Sequence, residues 1–572
     1  MYVVKLICKL IVLGYFDGKI PARKCCLGEK MFDLKLVSSL EKILPKTMIR
    51  ADEITELSAL EEEVLSFQAV FATDSEGIYR FTVKTDEELE CESFFVKNVA
   101  VNYASHARAY GDKNYISHEP GLYPDFLETA ERDWVYANNV YQSIWITLKG
   151  KAGDRKVKVS FYNEQGLCVG ERELNVKIIG VALPEQKLKY TQWFHTDCIA
   201  DQYGYTIFSE ELWQMIEKYL VTAHKNGINM ILTPVFTPPL DTAVGGERPT
   251  VQLVEIKKTE KGYEFDFKRL SRWIALCKKI GIKYFEMPHL FTQWGAEATP
   301  KIVAEYNDHF ERIFGWDVPY NHPEYERFLS LFIPELIKFL KEEKVFDKTY
   351  FHISDEPELD KVEKYKKAVK IAKKYLSGCK VIDAVSDFST FEKSVIDIPV
   401  LATNHMDEVK DKTFKEKWCY YCNAQCVDVS NRFVTMPSSR NRSIGVQLYK
   451  AKAEGFLHWG YNFYYSRFSL LKLNPFYEND AYNAFPAGDA VSVYPGKNGP
   501  MPAIGLMVFN EALQDMRALE LLEQYLGYEA TVRLAEEILG EPICFSKCFT
   551  AEKLLKLREA VNKRISVFSV HR

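Results

Sequence analysis

The 572-residue sequence lacks a concentrated basic region, and its formal net charge is -5, from 74 Lys and Arg against 79 Asp and Glu. Nucleic-acid binding needs a basic surface that neutralises phosphates, so this composition argues against nucleic acid as the main partner. The apolar stretch Leu6–Leu13 near the N-terminus is interrupted by Lys9 and is too short to span a bilayer. We therefore expect no nucleic-acid partner and no membrane association.

The chain also lacks a regular cysteine framework. Its 13 cysteines are odd in number and scattered, which fits a reducing compartment better than the disulfides of a secreted protein. No small-residue cleavage site clearly follows the N-terminal apolar stretch. We therefore expect residues 1–30 to be a poorly structured extension, with Met31 as an alternative start, and the protein to be cytoplasmic. An atypical secretion signal is the alternative.

The length exceeds what one hydrophobic core usually supports, so we expect two or three domains. Residues 31–183 contain short β-prone segments with turns between them and no helical period, which is typical of a β-sandwich. The predicted strands of this domain are 64–73, 77–85, 94–103, 140–149, 156–162 and 171–179. Residues 180–186 form the predicted linker.

After the linker, strands alternate with amphipathic helices, which is the pattern of parallel βα units. The eight predicted strands are 189–197, 229–236, 283–290, 348–355, 380–386, 399–405, 418–424 and 455–462. The predicted helices are 210–226, 267–279, 323–343, 358–376 and 506–526. This pattern predicts a (β/α)8 TIM-type barrel over residues 184–527, followed by C-terminal helices over 528–572. The expected fold class is multidomain β and α/β.

Asp355 and Glu356 are adjacent at the end of the fourth predicted strand, just before Pro357. Side chains alternate along a strand, so both carboxyls can face one pocket only where the strand ends, and the proline marks such an end. Neighbouring carboxyls repel when both are ionised, which raises the pKa of one and leaves the other charged. The pair can therefore supply an acid and an anion. The alternative is that Asp355 caps the next helix and Glu356 begins its first turn.

Polar and aromatic side chains also close the other predicted barrel strands, where the active site of such a barrel lies. They include His195, Asn404, His405 and the run His458–Asn462. Hydrogen-bonding groups around aromatic faces suit a carbohydrate, whose hydroxyls need many partners and whose C–H faces stack on rings. A carbohydrate is therefore the expected ligand.

Several motifs, in order along the chain, resemble one family. They are Ala59–Gln68 (ALEEEVLSFQ), Phe314–Trp316 (FGW), Phe351–Pro357 (FHISDEP), Gly455–Asn462 (GFLHWGYN), Pro486–Asp489 (PAGD) and Tyr494–Gly496 (YPG). Together they look like the DUF4091 group of glycoside hydrolases, whose characterised members form glycoside hydrolase family 123, the β-N-acetylgalactosaminidases. The resemblance extends over about residues 45–520, and the ordered set is fairly specific.

The resemblance implies a retaining, substrate-assisted mechanism, in which the substrate's 2-acetamido group is the nucleophile. Glu356 matches the general acid/base that protonates the glycosidic oxygen and later activates water. Asp355 matches the carboxylate that orients and stabilises the acetamido group while its carbonyl oxygen attacks C1. The implied activity is exo-acting hydrolysis of terminal β-linked N-acetylhexosamine, with N-acetylgalactosamine preferred. The alternatives are a non-hydrolytic carbohydrate-binding protein and a glycosidase for a different sugar.

Seven further residues are predicted to contact the substrate: Trp459, Asn462, Asn404, His405, Asp489, His195 and Trp294. Trp459 is the predicted sugar platform, with packing under the barrel rim as its alternative. Asn462, Asn404, His405 and Asp489 are predicted hydroxyl or acetamido partners, with loop bracing as their alternative. His195 and Trp294 lie where substrate could reach them, although aromatic residues at strand ends are often part of the core.

Cys419, Cys422 and Cys426 form a C-x2-C-x3-C pattern, and thiolates at such spacing can bind zinc or an iron–sulfur cluster. A fourth ligand is not obvious, and alternation along a strand places Cys419 and Cys422 on opposite faces. We therefore predict no metal and no cofactor. The expected partner is an oligosaccharide or glycoconjugate with a terminal N-acetylhexosamine, and the sequence carries no signal of the oligomeric state.

Overall fold

The computed structural model describes residues 32–46, 51–357, 359–386 and 396–570. The predicted extension over residues 1–30, together with Met31, lies outside these described residues. A unit of two β-sheets comes first, and a closed barrel of parallel strands with helices around it follows. The predicted fold class, a β-sandwich followed by a (β/α)8 barrel, is confirmed.

The first unit packs two five-stranded sheets face to face. Its strands are β1 (Phe32–Ser38), β2 (Glu56–Glu61), β3 (Leu65–Thr73), β4 (Gly77–Lys84), β5 (Leu89–Val101), β6 (Gly121–Thr129), β7 (Trp134–Ala137), β8 (Gln142–Gly150), β9 (Gly153–Tyr162) and β10 (Cys168–Ala182). One sheet has the order β1-β3-β8-β5-β6 and the other β2-β10-β9-β4-β7. Alternate side chains of both sheets meet in one apolar core that includes Phe67, Phe71, Ile146, Val159 and Phe161.

Four of these strands, β1, β2, β6 and β7, are not predicted from the sequence. Strand β6 contains Pro124, which argues against a strand in the middle of a sheet. It lies at a sheet edge, where proline is tolerated, and its ladder with β5 shifts register between Lys97 and Asn98, beside this proline. Strand β7 has only four residues, too few for a clear alternation pattern.

Eight parallel strands close the barrel. They are β11 (Lys189–Gln192), β12 (Met230–Leu232), β15 (Tyr284–Met287), β18 (Thr349–Phe351), β19 (Lys380–Val385), β20 (Ile398–Ala402), β21 (Trp418–Tyr420) and β22 (Gly455–His458). Each overlaps its predicted range but ends earlier, because the polar residues that follow leave the sheet and form the rim. Gly455 is required beside Trp418, since a Cβ there would lie 2.0 Å from the indole ring.

Two hairpins inserted between barrel strands form a separate four-stranded sheet, which we call the inserted sheet. Its strands are β13 (Glu255–Thr259), β14 (Gly262–Asp266), β16 (Ile302–Tyr306) and β17 (His309–Phe314), in the order β14-β13-β16-β17. A further hairpin, β23 (Val493–Gly496) and β24 (Gly499–Pro502), follows the barrel strands. None of these short strands is predicted from the sequence.

Helices surround the barrel. They are Thr196–Tyr203, Glu210–Lys225, Lys268–Ile280, Pro323–Glu342, Val362–Lys373, Ser438–Arg442, Ile444–Ala451 and Ile504–Leu526. Short 3-10 turns are Ala107–Ala109, Phe346–Lys348, Leu359–Lys361, Thr403–Val409 and Arg467–Ser469. Among the described residues, the helices are all too short or too polar to cross a membrane.

The last two helices that the structure describes are Tyr528–Leu539 and Ala551–Val570. The last helix attaches the barrel side of the molecule to the sandwich. Arg558 forms a buried ion pair with Glu63, and Asn562 Nδ2 donates a hydrogen bond to the main-chain oxygen of Ser58 at 3.1 Å. Breaking a buried pair of this kind by removing one partner costs about 3–5 kcal/mol, so these contacts fix the two units to each other.

Candidate active site

Asp355 and Glu356 lie at the C-terminal mouth of the barrel, four and five residues after β18 ends. Both are half-buried and line one cavity of about 560 Å³. Glu356 has φ of 37°, in the left-handed region that non-glycine residues rarely adopt. This kink ends the strand-like alternation, so that both carboxyls face the same space. Strained backbone of this kind clusters at functional sites.

The cavity is lined mainly by aromatic and polar side chains from the barrel rim. The lining residues are Trp193, His195, Leu240, Asp241, Gln293, Trp294, Asp355, Glu356, Ala384, Ser386, Tyr420, Cys422, Asn423, Leu457, Trp459, Arg467, Phe468 and Phe485. Its volume falls within the usual range of ligand pockets, about 300–1,000 Å³. The arrangement suits a ligand that presents both apolar faces and hydrogen-bonding groups.

The two carboxyls have different surroundings. The Tyr420 hydroxyl donates a hydrogen bond to Oε1 of Glu356. Burial raises the pKa of Glu356, and this hydrogen bond partly offsets the rise. Burial also raises the pKa of Asp355 well above its usual range, and the negative charge of Glu356 raises it further. The pair therefore retains one proton at a pH where ordinary carboxyls are ionised.

The Asp355 carboxyl accepts no hydrogen bond from the residues that the structure describes, whereas its main chain is fixed. The backbone N–H of Trp294 donates to the Asp355 carbonyl oxygen at 2.8 Å. The helix that follows does not use either acid as a cap, since Lys361 occupies its N-cap position. Asp355 is thus oriented toward the cavity with its carboxyl available to a ligand.

A buried network lies beneath the pair and is built around His352. The His352 Nε2 atom is 2.6 Å from Glu286 Oε1, and Nδ1 is 3.2 Å from Asp383 Oδ1. Burial opposes protonation of His352, but the two carboxylates outweigh it and raise its pKa to about 9. Asp383 also accepts hydrogen bonds from the Ile353 N–H at 2.9 Å and the Tyr365 hydroxyl at 2.5 Å. The network therefore fixes the backbone that leads into Asp355.

His289 stacks on His352, with ring centroids 4.3 Å apart. Potential ligand atoms of His289, His352 and Asp383 lie within 4.8 Å of one another. His352, however, contacts Glu286 and Asp383 through both of its ring nitrogens. We therefore interpret His352 and Asp383 as a hydrogen-bonded support of the cavity floor, against which the His289 ring stacks.

Trp459 forms one wall of the cavity. Its ring is half-buried and meets Phe463 and Phe485 edge to face, with centroids 5.2 Å apart in each case. The indole N–H donates to Asp489 Oδ2 at 3.0 Å. Asp489 is fully buried behind the indole, and burial raises its pKa to about 7 despite the nearby guanidinium of Arg432. Asp489 thus orients Trp459 from behind.

His195 forms the neighbouring part of the wall. Arg248, which is buried and paired with Asp197 at 2.7 Å, has its guanidinium 3.2 Å from His195 Nδ1. Because a guanidinium only donates, Nδ1 must accept, and Nε2 carries the proton and donates to the Trp459 carbonyl at 3.1 Å. Burial and the charge of Arg248 lower the pKa of His195 well below its usual range. His195 is therefore a neutral, fixed donor and acceptor.

With this geometry established, comparison with known proteins identifies the chain. A model of the glycoside hydrolase 123 catalytic domain matches residues 193–522, more than half of the sequence. The chain belongs to glycoside hydrolase family 123. The family predicted from the sequence motifs is thereby confirmed, and the protein is a glycoside hydrolase. No curated protein sequence matches this chain.

The family 123 fold also appears among solved structures. A family 123 glycoside hydrolase from Clostridium perfringens, described for glycolipid glycan hydrolysis, has 15% identity and a TM-score of 0.69 over 95% of this chain and 99% of that one. At this identity, the likeness shows the fold alone. A glycosyl hydrolase family 2 member from Bacteroides cellulosilyticus has 11% identity over 75% of this chain and 46% of that one. Its TM-score of 0.27 is too low to support an argument.

The family 123 structure brings some of the predicted substrate-binding residues to the cavity and leaves others away from it. His195, Trp294 and Trp459 line the cavity. Asn462 is buried behind His195, accepting from its N–H at 2.9 Å and donating to its carbonyl at 3.0 Å. Asp489 and Asn462 therefore brace cavity residues and do not line the cavity themselves.

Asn404 and His405 do not line the cavity either. They follow β20 in the 3-10 turn Thr403–Val409, which directs them elsewhere. Asn404 accepts a hydrogen bond from Gln425 Nε2 at 2.8 Å, and His405 Nδ1 is 2.9 Å from Glu408 Oε1. Both thus make the loop-bracing contacts that were the alternative to substrate binding.

The lining residues that the sequence does not predict include Tyr420, Asp241, Gln293 and Arg467. Tyr420 is the last residue of β21, so its strand-end position is the signal that could have found it. The other three, Asp241, Gln293 and Arg467, lie in the long segments between barrel strands. The sequence gives no rule that predicts which residue of such a segment lies at the mouth of the barrel. Burial raises the pKa of Asp241 to about 6.

The three cysteines of the C-x2-C-x3-C pattern lie in three different environments. Cys419 packs in the apolar layer between the barrel and its helices. Cys422 lines the cavity, and Cys426 packs against Tyr115 and Phe433 outside the barrel. The spacing therefore does not bring the thiols together.

Proposed function

We propose that this protein is an exo-acting, retaining glycosidase that removes terminal β-linked N-acetylhexosamine through the substrate's own acetamido group. Glu356 is the general acid/base, and Asp355 orients and stabilises the acetamido group. The observation that carries the proposal is that two adjacent carboxyls open into one aromatic cavity, with Glu356 hydrogen-bonded and the Asp355 carboxyl available to a ligand. A mechanism whose nucleophile belongs to the substrate needs this one acid and this one anion.

The single proton that Asp355 and Glu356 share is the one that the general acid donates. Before substrate binds, burial and the neighbouring charge favour a proton on Asp355. An acetamido N–H that donates to the Asp355 carboxyl stabilises its ionised form and lowers its pKa. The proton is then held by Glu356, where the glycosidic oxygen needs it. Binding of the correct sugar thus sets the protonation state that the reaction requires.

The reaction then proceeds in two steps with one proton carrier. The acetamido oxygen attacks C1 while Glu356 protonates the leaving oxygen, and Asp355 stabilises the developing positive charge on the cyclised acetamido group. In the second step Glu356 takes a proton from water, which attacks C1 and reopens the ring. Two inversions at C1 leave the anomeric configuration unchanged.

The aromatic walls support recognition of a sugar ring. Trp459 and Trp294 line the cavity with half-buried indole rings, and Asp241 and Arg467 add polar side chains to the lining. C–H faces of a pyranose stack on such rings, and its hydroxyls bond to the polar groups. N-acetylgalactosamine is our proposed sugar because the sequence motifs resemble those of the family's β-N-acetylgalactosaminidases. We propose a small oligosaccharide or glycoconjugate as substrate and a cytoplasmic site of action.

The test is hydrolysis of chromogenic β-N-acetylgalactosaminide, β-N-acetylglucosaminide and β-galactoside by the purified protein. Release from the acetamido sugars, but not from β-galactoside, is expected, and proton NMR should show the β-anomer as first product. A thiazoline analogue of the cyclised sugar should inhibit competitively. Equal hydrolysis of β-galactoside would contradict acetamido participation, and no release from any substrate would favour a non-hydrolytic carbohydrate-binding protein.

A further inference from the structure

The charges that line the catalytic cavity are of both signs. Three carboxyl side chains line it, those of Asp241, Asp355 and Glu356. Arg467 also lines it, and among the lining residues that the structure describes it is the one with a permanent positive charge, because His195 is held neutral. The proposed mechanism needs the two adjacent carboxyls, but it does not need a cation.

The Arg467 guanidinium has hydrogen-bond donors that the protein does not use. Within the described part of the chain, it forms neither an ion pair nor a hydrogen bond, and its carbon lies 4.6 Å from the ring centroid of Phe468. The side chain is exposed, so these donors lie where the cavity opens to solvent. A planar guanidinium binds an oxyanion through two parallel hydrogen bonds. An anion is therefore the ligand that this side chain suits.

Asp241 does not act as the ion-pair partner of Arg467. The positive charge of Arg467 lowers the pKa of Asp241, but burial outweighs it and raises that pKa to about 6. A carboxyl paired with a guanidinium has a lowered pKa instead. Asp241 Oδ2 accepts a hydrogen bond from the Phe468 N–H at 3.2 Å. Asp241 therefore supports the loop of Arg467 and leaves the guanidinium available to a ligand.

The loop that carries Arg467 is held by contacts with two other segments. The Arg467 N–H donates to the Ala481 carbonyl at 3.2 Å, and Ser469 Oγ donates to the Asp241 carbonyl at 2.7 Å. Phe468 and Ser469 have φ of 61° and 55°. Such backbone is costly for residues other than glycine and persists only where surrounding contacts determine it. The backbone of Arg467 thus has a determined position at the cavity mouth.

We propose that Arg467 binds an anionic ester group, sulfate or phosphate, on the acetamido sugar that the catalytic cavity holds. This assignment rests on the proposed function and narrows its substrate class to N-acetylhexosamine with an esterified hydroxyl. A neutral sugar does not neutralise a permanent cation, whereas both esters present oxygens in the geometry that a guanidinium prefers. The two esters share this oxyanion chemistry, and the experiment distinguishes them.

The test compares hydrolysis by the full chain of nitrophenyl β-N-acetylgalactosaminide and of its sulfate and phosphate esters, with the ester at O4 or at O6. The wild type should have a higher kcat/KM for one ester than for the unesterified glycoside. Arg467→Gln should reduce kcat/KM for that ester roughly tenfold to a hundredfold, because it loses a charge-assisted contact. The loss should lie in KM, since Arg467 binds substrate and transition state alike. The unesterified glycoside should keep its kcat/KM.

Arg533→Gln is the matched control, because Arg533 is an exposed arginine on the helix Tyr528–Leu539 and does not line the cavity. It removes one positive charge from the surface and should leave kcat/KM for both kinds of substrate unchanged. Arg467→Lys keeps the charge without the planar fork and should retain part of the preference for the ester. Added salt should weaken the preference of the wild type, since exposed charges are screened.

A preference that Arg467→Gln abolishes identifies the anion as sulfate or as phosphate. An equal loss of kcat/KM on the unesterified glycoside would mean that Arg467 supports the loop, and it would overturn the assignment. A wild type without preference for any ester would also overturn it. Calorimetric binding of free N-acetylgalactosamine sulfate and phosphate gives a readout without hydrolysis. If the wild type hydrolysed none of these glycosides but bound a free ester more tightly than Arg467→Gln does, the anion site would stand and the proposed function would fall.

Discussion

The Tyr420 hydroxyl donates a hydrogen bond to Glu356 across the mouth of the barrel. Tyr420 ends β21 and Glu356 follows β18, and two further strands, β19 and β20, separate them in the barrel. Closure of the barrel brings together two residues that are 64 positions apart in the sequence. The bond stabilises the ionised form of Glu356, and it therefore controls how firmly the acid holds its proton.

Replacing Tyr420 by Phe should move the alkaline limb of the kcat/KM profile to higher pH. The hydrogen bond lowers the pKa of Glu356, so its removal raises that pKa, and the pair keeps its last proton to a higher pH. A hydrogen bond to a charged group contributes about 1.5–3 kcal/mol, so we expect a shift of roughly one to two pH units. The measurement is kcat/KM against pH with an aryl N-acetylgalactosaminide.

Tyr421→Phe is the control for this shift. Tyr421 is the next residue, and its hydroxyl donates to Asn441 Oδ1 at 2.9 Å, outside the cavity. The Tyr421→Phe variant loses a buried tyrosine hydrogen bond, as Tyr420→Phe does, but its profile of kcat/KM against pH should be unchanged. A profile that moves equally in both variants would mean that the shift reflects general loosening of the strand.

Glu356→Gln should lose activity most on substrates with poor leaving groups. The variant cannot donate a proton to the glycosidic oxygen, and general acid catalysis contributes about 10²–10⁴-fold. An aryl glycoside with an acidic phenol needs little protonation and should retain much of its cyclisation rate. Kinetics with a series of aryl glycosides should show a steep dependence on the phenol pKa. Glu363→Gln, an exposed glutamate on the following helix, should behave like wild type.

Asp355→Asn should lose activity with good and poor leaving groups alike. The neutral amide cannot stabilise the charge that develops on the cyclising acetamido group, and loss of such stabilisation costs about 10²–10³-fold in kcat. The same aryl series should therefore show a uniform decrease. Asp360→Asn provides an exposed neighbour as control. If the two active-site variants lost activity in the same pattern, the division of roles between them would be wrong.

His352→Gln should destabilise the protein most at acidic to neutral pH. The protonated imidazole pairs with two buried carboxylates, and its removal leaves them unpaired, at a cost of about 3–5 kcal/mol. The pKa of His352 is raised from 6.5 to about 9, so its contribution is complete below pH 6.5 and is lost as pH rises through 9. The stability difference from wild type, measured by urea unfolding, should therefore shrink between these values.

His405→Gln is the matched histidine control. His405 is partly exposed and pairs with Glu408 on the surface, and such pairs contribute about 0–1 kcal/mol. We expect little change in its urea midpoint at any pH. A His352→Gln deficit that stayed constant with pH would show that the imidazole acts through packing and not through charge.

Asp489→Asn should stabilise the protein relative to wild type at alkaline pH. The pKa of Asp489 is raised from 3.8 to about 7 by burial, so its contribution to stability is present below pH 3.8 and is lost as pH rises through 7. Asparagine carries no charge, and its side-chain oxygen can still accept from the Trp459 indole. The variant's Tm should rise relative to wild type between pH 4.5 and 8, whereas exposed Asp347→Asn should not differ. Parallel Tm curves for Asp489→Asn and wild type would contradict the raised pKa.

Much of the barrel follows from local sequence patterns. All eight barrel strands and the five predicted helices overlap observed elements, because burial of one face imposes a period on the chain that nearby residues reveal. The inserted sheet could not be predicted from such patterns. Its strands have five or six residues and lie within long loops, where no long pattern distinguishes them.

The acidic pair could be located from the sequence because adjacency and the following proline are local features. His195, Trp294 and Trp459, each near the end of a predicted strand, line the same cavity. Asn404 and His405 satisfy the same rule and yet lie away from the cavity, since the chain enters a 3-10 turn at Thr403. The position of a residue just after a strand predicts that the residue lies at the barrel rim. It does not predict the direction in which the side chain points.

By itself, the sequence determined the alternation of strands and helices, the family, and the adjacency of Asp355 and Glu356. Only the tertiary structure decided which groups surround them. Closure of the barrel carries Tyr420 to Glu356 and His352 to Glu286 and Asp383, and loop packing brings Asp241, Gln293 and Arg467 to the cavity. The physical reason is that the spacing of apolar residues along the chain reflects which face of a strand or helix is buried. The proton affinity of a side chain and the shape of a cavity depend instead on contacts between residues far apart in sequence.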